Sequence, residues 1–370
     1  MSPDIIVVKI GTSSLTGDNG ALSMEAIDKL VDEVAGLIEL GMAPVIVSSG
    51  AIGAGLEELG FSHSKRPADA LTLQAASAVG QADLVGTYKR SFARHQVVVG
   101  QVLISPYDFW NRQQYLHAKG TFARLIELGV VPVVNENDAL ADDAIRFGDN
   151  DRIAALVAQL IGATRLVLLT DTAGLFTGDP NLDPDASLIE EITEIDHRHR
   201  AAAGSASSGR GSGGMAAKLR AAAMASWSGI DTVIADASHP GVVTKAADAT
   251  VAVGTLIRAR AAHLSARRLW IAFALPAAGD VTVDDGARTA LEHDGRSLLA
   301  AGVTAVSGEF ASGDSVNVVA EDGELIAKGL SGFSAVELRG LAGKRSGIDG
   351  APKLREVIHR DDMVLLNEEG

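Results

Sequence analysis

Apolar, β-branched runs recur through the first two-thirds of the chain, at 5–10, 44–47, 97–103, 130–134, 166–170, 232–235 and 250–253. Between most of them lie segments with helical character, at 24–40, 68–95, 111–128, 151–161 and 215–228. The runs are apolar at nearly every position, as strands covered on both faces must be. Strand and helix in alternation predict a mostly parallel sheet with helices on both sides. After residue 258 the pattern changes. Residues 258–268 are rich in Ala and Arg and read as a connector, and 269–275 reads as a bridging strand. From Pro276 onward short alternating segments follow Gly-containing turns, with Glu321-Asp322-Gly323 as a hairpin turn. Many short strands of this kind predict a small β-barrel. The expected division is an α/β domain over 1–258, a linker over 259–275 and a β domain over 276–370.

Composition narrows the options. A chain of 370 residues suits two or three domains. No apolar run reaches the roughly 20 residues of a membrane span. The start, MSPDIIVVKI, has no basic region, apolar core or cleavage site of a signal peptide. There is no cysteine, which removes disulfides, thiol nucleophiles and cysteine zinc sites and suits a cytoplasmic protein. The formal charge of −15 disfavours nucleic acid and acidic membranes as partners. An anionic ligand must then be met locally, by a few lysines and helix N-termini.

Residues 209–214 spell G-x-G-x-x-G, with Asp236 placed like a ribose-binding acid. A dinucleotide fingerprint requires a strand leading into the glycines. Here the lead-in, 196–208, is polar and small and reads as a flexible loop. A Walker A loop fails as well, because Met215 stands where Lys is needed and Lys218 comes four residues after Gly214. The helix expected behind the glycines still offers N–H groups and a dipole to an anion, and Lys218 adds a full charge.

Ligands of open α/β sheets collect at the carboxyl ends of the strands. Lys9 sits inside the first apolar run, directly before Gly11-Thr12-Ser13-Ser14. A lysine there is costly unless it meets an anion. After the second run comes Ser48-Ser49-Gly50, whose small residues let a ligand approach the backbone. After the fourth, residues 135–151 collect Asn135, Glu136, Asn137, Asp138, Asp142, Asp143, Asp149, Asn150 and Asp151 between two buried elements. One aspartate of Gly-Asp-Asn-Asp caps the following helix. The remaining acids are able to orient an ammonium group, a lysine or Mg²⁺. After the fifth, Asp171 opens a loop able to enclose a nucleoside. His197 and His199 form an H-x-H that reads as loop rather than metal site.

Lys9, the glycine-rich loops and Lys218 together point to phosphoryl transfer, which needs in-line positioning and positive charge more than covalent help. Six stretches carry a resemblance: VVKIGTSSLTG, VIVSSGAIGAG, VVNENDAL, FGDND, LLTDTAGLFTGDP and GSGGMAAKL. In this order they resemble the amino acid kinase family. The resemblance implies a three-layer αβα sandwich followed by a PUA-like barrel, and ATP-dependent phosphorylation of the γ-carboxylate of L-glutamate, the first step of proline biosynthesis. ATP and Mg²⁺ are the implied cofactors. Carried over by position, Lys9, Lys218 and Asp151 are catalytic. Lys9, Gly11, Thr170, Asp171 and Ser212, Gly213, Gly214, Met215, Ala216, Ala217 and Lys218 hold the nucleotide. Ser49, Asp138 and Asn150 bind glutamate. No protein-held metal site is implied. Proline is the implied feedback inhibitor, and a homo-oligomer the implied assembly. An ionised carboxylate nucleophile needs no general base, in keeping with the lack of a catalytic triad.

The rival readings are another kinase of this fold, acting on N-acetylglutamate or aspartate, and an RNA-binding protein led by its C-terminal module. From Pro276 to Gly370 nine Lys and Arg face seventeen Asp and Glu. So acidic a module lacks the electrostatic footprint of an RNA binder, and no strong nucleic-acid binding is expected.

Overall fold

The computed structural model describes residues 3–17, 21–61, 66–140, 149–180, 182–205, 214–248, 250–261, 264, 266–343 and 356–366. Contacts divide the chain into two compact units, Met1–His263 and Leu264–Gly370.

The first unit is built on an eight-stranded sheet. In chain order its strands are β1 (Ile5–Ile10), β2 (Ala43–Ser48), β3 (Val99–Ile104), β4 (Val131–Glu136), β5 (Arg165–Thr170), β6 (Glu191–Ile192), β7 (Asp231–Asp236) and β8 (Thr255–Ile257). They lie in the spatial order β3-β4-β2-β1-β5-β7-β8-β6. The pairings from β3 through β7 are parallel, β8 runs antiparallel to β7, and β6 pairs with β8 in parallel. In register, Lys9 stands beside Val47 and Leu168, and Ile10 beside Ser48. The loops after β1, β2, β4 and β5 therefore open along one rim.

Among the described residues ten helices flank the sheet: α1 (Thr12–Leu15), α2 (Met24–Glu39), α3 (Ala51–Glu58), α4 (Ala70–Ala93), α5 (Pro106–Trp110), α6 (Arg112–Glu127), α7 (Asn150–Ile161), α8 (His197–Ser205), α9 (Met215–Trp227) and α10 (Val242–Ala247). One face packs Ile6, Val8 and Ile10 of β1 against Leu30 and Val34 of α2, Leu84 and Phe92 of α4, and Val242 of α10. Alternation along β1 turns Val7 and Lys9 to the opposite face. There α7 packs on β1 and against α9.

Three local expectations are corrected, and one stretch left without an element is assigned. Residues 51–58, after Ser48-Ser49-Gly50, form α3, which Gly50 caps at φ +108. Its Gly55 meets Gly80 of α4 so closely that a Cβ on Gly55 would lie 1.8 Å from the Ala76 carbonyl oxygen. Those glycines serve helix contact as well as loop geometry. The stretch read as a flexible loop holds α8, in which Asp196 accepts hydrogen bonds from the Arg198 and His199 N–H groups. The strand expected at 250–253 lies later, at Thr255–Ile257, paired antiparallel. Residues expected to bridge as a strand are helical, with Ala266–Leu269 followed by a π-helix over Trp270–Ala274.

The second unit carries a five-stranded sheet of β9 (Gly279–Val283), β10 (Val303–Gly308), β11 (Ser315–Ala320), β12 (Leu325–Leu330) and β13 (Met363–Leu365), in the order β10-β9-β11-β12-β13. Glu321-Asp322-Gly323 turns β11 into β12 with Gly323 at φ +87, a conformation glycine adopts without strain. Val281, Val316, Val318 and Ile326 form its core with Leu338 of a short helix, Ala335–Leu341. Ile271 and Ala272 of the π-helix pack on Val364 of β13.

Candidate active site

Lys9 comes to the carboxyl end of β1 only 4% exposed. Its Nζ lies 2.7 Å from Asp151 Oδ1, and Lys218 Nζ lies 3.4 Å from Asp151 Oδ2. Two ammonium groups more than two hundred residues apart in sequence thus share one fully buried carboxylate. Each element contributes by simple geometry. Strand alternation delivers Lys9, and Asp149 caps α7 by accepting from the Arg152 N–H at 3.2 Å, which leaves Asn150 and Asp151 in the buried first turn. α9 begins at Gly214 with no side-chain cap and presents Lys218 one turn in.

Two cations touch one anion, and Asp171 acts on Lys218 from farther away. Burial lowers the pKa of Lys218, opposed by Asp151 and assisted by the like charge of Lys9; Asp171 favours the charged form. Direct contact pairs the two ammonium groups with one carboxylate, an arrangement suited to an incoming anion. Asp151 is also the group that makes it foldable. Replacing Asp151 with alanine strands two buried ammonium groups, and removal of one partner from a buried pair costs ~3–5 kcal/mol. We expect a clear loss of urea stability in D151A; an unchanged midpoint and slope contradict the pairing.

One residue away, Asn150 belongs to a different network. Its Nδ2 donates to Ser49 Oγ at 3.0 Å and to Asn135 Oδ1 at 3.0 Å. Its Oδ1 and that of Asn135 both accept from the Glu136 backbone N–H, at 3.2 and 2.9 Å. Asn135 Nδ2 in turn donates to Gln81 Oε1 of α4 at 2.9 Å. Asp138 is buried beside this network. Burial pushes its carboxyl up to about 6, against the lowering effect of a hydrogen bond from Ser77. Its Oδ1 has no hydrogen-bond partner among the described residues.

Of the residues singled out in the sequence, Lys9, Asp151 and Lys218 converge, and Ser49 and Asn150 join them through α7. Gly11 lies over the Lys9 ammonium, with an added Cβ falling 3.5 Å from Nζ. Thr170 ends β5 nearly buried and donates to Asp171 Oδ1 at 3.2 Å. Gly214 has open space where a Cβ would stand, and Met215 and Ala217 are buried while Ala216 is half-buried. Asp142, Asp143, Ser212 and Gly213 lie outside the described residues. The sequence reading missed Gln81, Ser77 and Tyr88, all on α4. Tyr88 is fully buried and its hydroxyl pairs with Ser48 Oγ at 2.9 Å. Their spacing of four and then seven residues is a one-faced polar stripe in an Ala-rich helix, a signal present in the sequence.

The profile of the Amino acid kinase family matches residues 4–236. The chain belongs to that family. A PUA domain profile matches residues 279–347. Amino acid kinase relatives of full length include the "Glutamate 5-kinase" of Herminiimonas arsenicoxydans, 44% identical over 365 residues, covering 98% of this chain and 97% of the relative. The "Glutamate 5-kinase" of Myxococcus xanthus (strain DK1622) is 44% identical over 368 residues, covering 98% and 96%. Among solved structures, carbamate kinase from Giardia lamblia bound to AMP-PNP superposes with a TM-score of 0.51 at 18% identity, covering 70% of this chain and all of that one. That likeness bears on the fold alone. As an amino acid kinase the chain is an enzyme that uses ATP.

Proposed function

We propose that this protein transfers the γ-phosphoryl group of ATP to the γ-carboxylate of L-glutamate, yielding γ-glutamyl phosphate at the entry to proline biosynthesis. The observation that carries the reading is the pair Lys9 and Lys218 on the single carboxylate of Asp151, in a chain 44% identical over nearly its whole length to a protein named glutamate 5-kinase.

The chemistry follows from charge. A carboxylate oxygen of glutamate attacks the γ-phosphorus, the bond to the β–γ bridging oxygen breaks, and ADP leaves with that electron pair. At neutral pH the nucleophile is already ionised, so no proton need be removed. The difficulty is bringing an anion onto a polyanion. Two ammonium groups with one balancing carboxylate leave net positive charge for the migrating group, in a dry site where it acts strongly. Lys9 and Gly11 face the phosphates from one side, and Gly214, Met215, Ala216, Ala217 and Lys218, continuing Ser212 and Gly213, from the other. Thr170 and Asp171 hold the nucleoside side. Asp151 orients both lysines.

Mg²⁺ binds such sites through substrate phosphates with one or two carboxylates, and no group of three or more His, Asp or Glu stands ready to cage it among the described residues. Bound with the nucleotide, it neutralises phosphate charge. On the acceptor side, Ser49 and Asn150 lie beside the reacting carboxylate. Asp138 has a buried oxygen with no donor among the described residues, and the α-ammonium of glutamate is of the right charge to supply one. Proline also carries an α-ammonium, in its ring, and an α-carboxylate, so feedback inhibition at this site belongs to the reading. So does self-association, supported by exposed Val98 and Leu103 at the sheet edge formed by β3. No helix among the described residues is long and apolar enough to cross a membrane, in keeping with the proposed cytoplasmic location.

The test is an amino-acid panel with Mg-ATP and hydroxylamine, which traps acyl phosphates as hydroxamates. Glutamate alone should give product. A hydroxamate from aspartate or N-acetylglutamate instead reassigns the acceptor, and none from any amino acid overturns the reading.

A further inference from the structure

We infer that Gln81 of α4 is a positioning residue for the phosphoryl acceptor, acting through Asn135 and Asn150 to aim the Ser49 hydroxyl proton at the acceptor carboxylate. The inference rests on the acceptor-site reading above and adds a residue outside the strand-end loops.

The chain of hydrogen bonds has a direction. The Glu136 backbone N–H can only donate, and it faces both Asn135 Oδ1 and Asn150 Oδ1. That sets both amides with their oxygens toward the backbone and their NH₂ groups outward. One proton shared between two acceptors holds each weakly, so a second anchor matters. Gln81 Oε1 supplies it by accepting from Asn135 Nδ2 at 2.9 Å. With Asn135 locked, its Oδ1 takes one proton of the Asn150 NH₂ group, and the other goes to Ser49 Oγ at 3.0 Å. A serine that accepts from Asn150 keeps its own O–H proton free to donate elsewhere. The Ser49 hydroxyl is thereby a donor, the polarity an incoming carboxylate needs.

α4 is built for this task. Ser77, Gln81 and Tyr88 fall within about 40° of one another on the helical wheel. Each buried side chain reaches the acceptor side at a strand end or just past it: Ser77 the Asp138 carboxyl after β4, Gln81 the Asn135 amide in β4, and Tyr88 the Ser48 hydroxyl of β2. Gly80, next to Gln81, lets α4 touch α3 with no room for a side chain, an added Cβ falling 2.0 Å from the Ala51 carbonyl oxygen. The position of Gln81 is therefore keyed to the helix that begins directly after Ser49 and Gly50.

The test is Gln81→Met, which keeps volume and removes the acceptor. We expect KM for glutamate to rise about tenfold, the scale of one buried hydrogen bond, with KM for ATP unchanged. In an Asn135→Ala background the same change should add nothing, because the relay is already cut. Parallel shifts in both KM values, an unchanged glutamate KM, or multiplying effects of the two changes overturn the inference. Should Q81M fail to fold, Q81E retains an oxygen for Asn135. A glutamate KM within about threefold of wild type then supports the relay, and a rise matching that of Asn135→Ala overturns it. Wild-type protein inactive with glutamate would instead refute the acceptor reading, a separate result.

Discussion

Lys218→Ala should reduce kcat by at least ~10²–10³-fold, the usual loss when one preorganised donor to a developing anion is removed. The effect should fall on kcat, because the charge matters most when the phosphoryl group is between donor and acceptor oxygens. The fold should survive. Asp151 keeps Lys9 at 2.7 Å after the change, so no buried carboxylate is left alone. Burial already disfavours the Lys218 ammonium, as its lowered pKa indicates, so its removal relieves a desolvation cost. K218A should therefore melt no lower than wild type, in contrast with D151A. A coupled ADP assay beside a thermal melt measures both. Wild-type kcat in a folded K218A protein would remove the lysine from the chemistry, and a lowered melting point would show that it holds the fold.

Asp138→Asn should separate affinity from stability. If Asp138 receives the α-ammonium of glutamate, loss of its charge raises KM for glutamate by on the order of 10²-fold, as truncation of a buried charge pair does. KM for ATP should stay within about twofold. Stability moves the other way. Asp138 has a folded pKa of about 6 against an ordinary 3.8, so the folded chain binds the proton more tightly than the unfolded chain. Its contribution is fully present below pH 3.8 and lost as pH rises through about 6. Between those limits wild type gives up ~3 kcal/mol that D138N does not. D138N should thus gain on wild type in melting temperature between pH 5 and pH 8. The same proton governs binding. In wild type, KM for glutamate should climb up to about tenfold per pH unit below 6, where Asp138 becomes neutral. A flat glutamate KM from pH 5 to 8 would separate Asp138 from the ammonium.

The acidic run at 135–151 between two buried elements, the lysine inside β1 and the glycines before α9 were legible because each breaks a local rule. A lysine among buried aliphatics and acids between buried elements demand partners wherever they occur. Parallel strands were legible for a similar reason, since burial on both faces leaves an unbroken apolar run. Local information misled where the local signal was weak. His197–Ser205 is polar enough to pass for loop, and Trp270–Ala274 is apolar enough to pass for strand but coils into a π-helix against β13.

By itself, then, the sequence determined the alternation of strands and helices, the acidic character of both parts and the set of charged groups that had to find partners. Only the tertiary structure decided which partners they found. Strand alternation sends Lys9 to the face where α7 and α9 meet, and Asp151 stands there between two lysines that chain order keeps far apart. The same holds for α4, whose Gln81 looks ordinary until the contact of Gly55 with Gly80 brings the helix against the end of β4. Periodicity is a property of neighbours along the chain. Charge pairing and hydrogen-bond direction depend on distances of a few ångströms across it, which only the packed sheet and helices set.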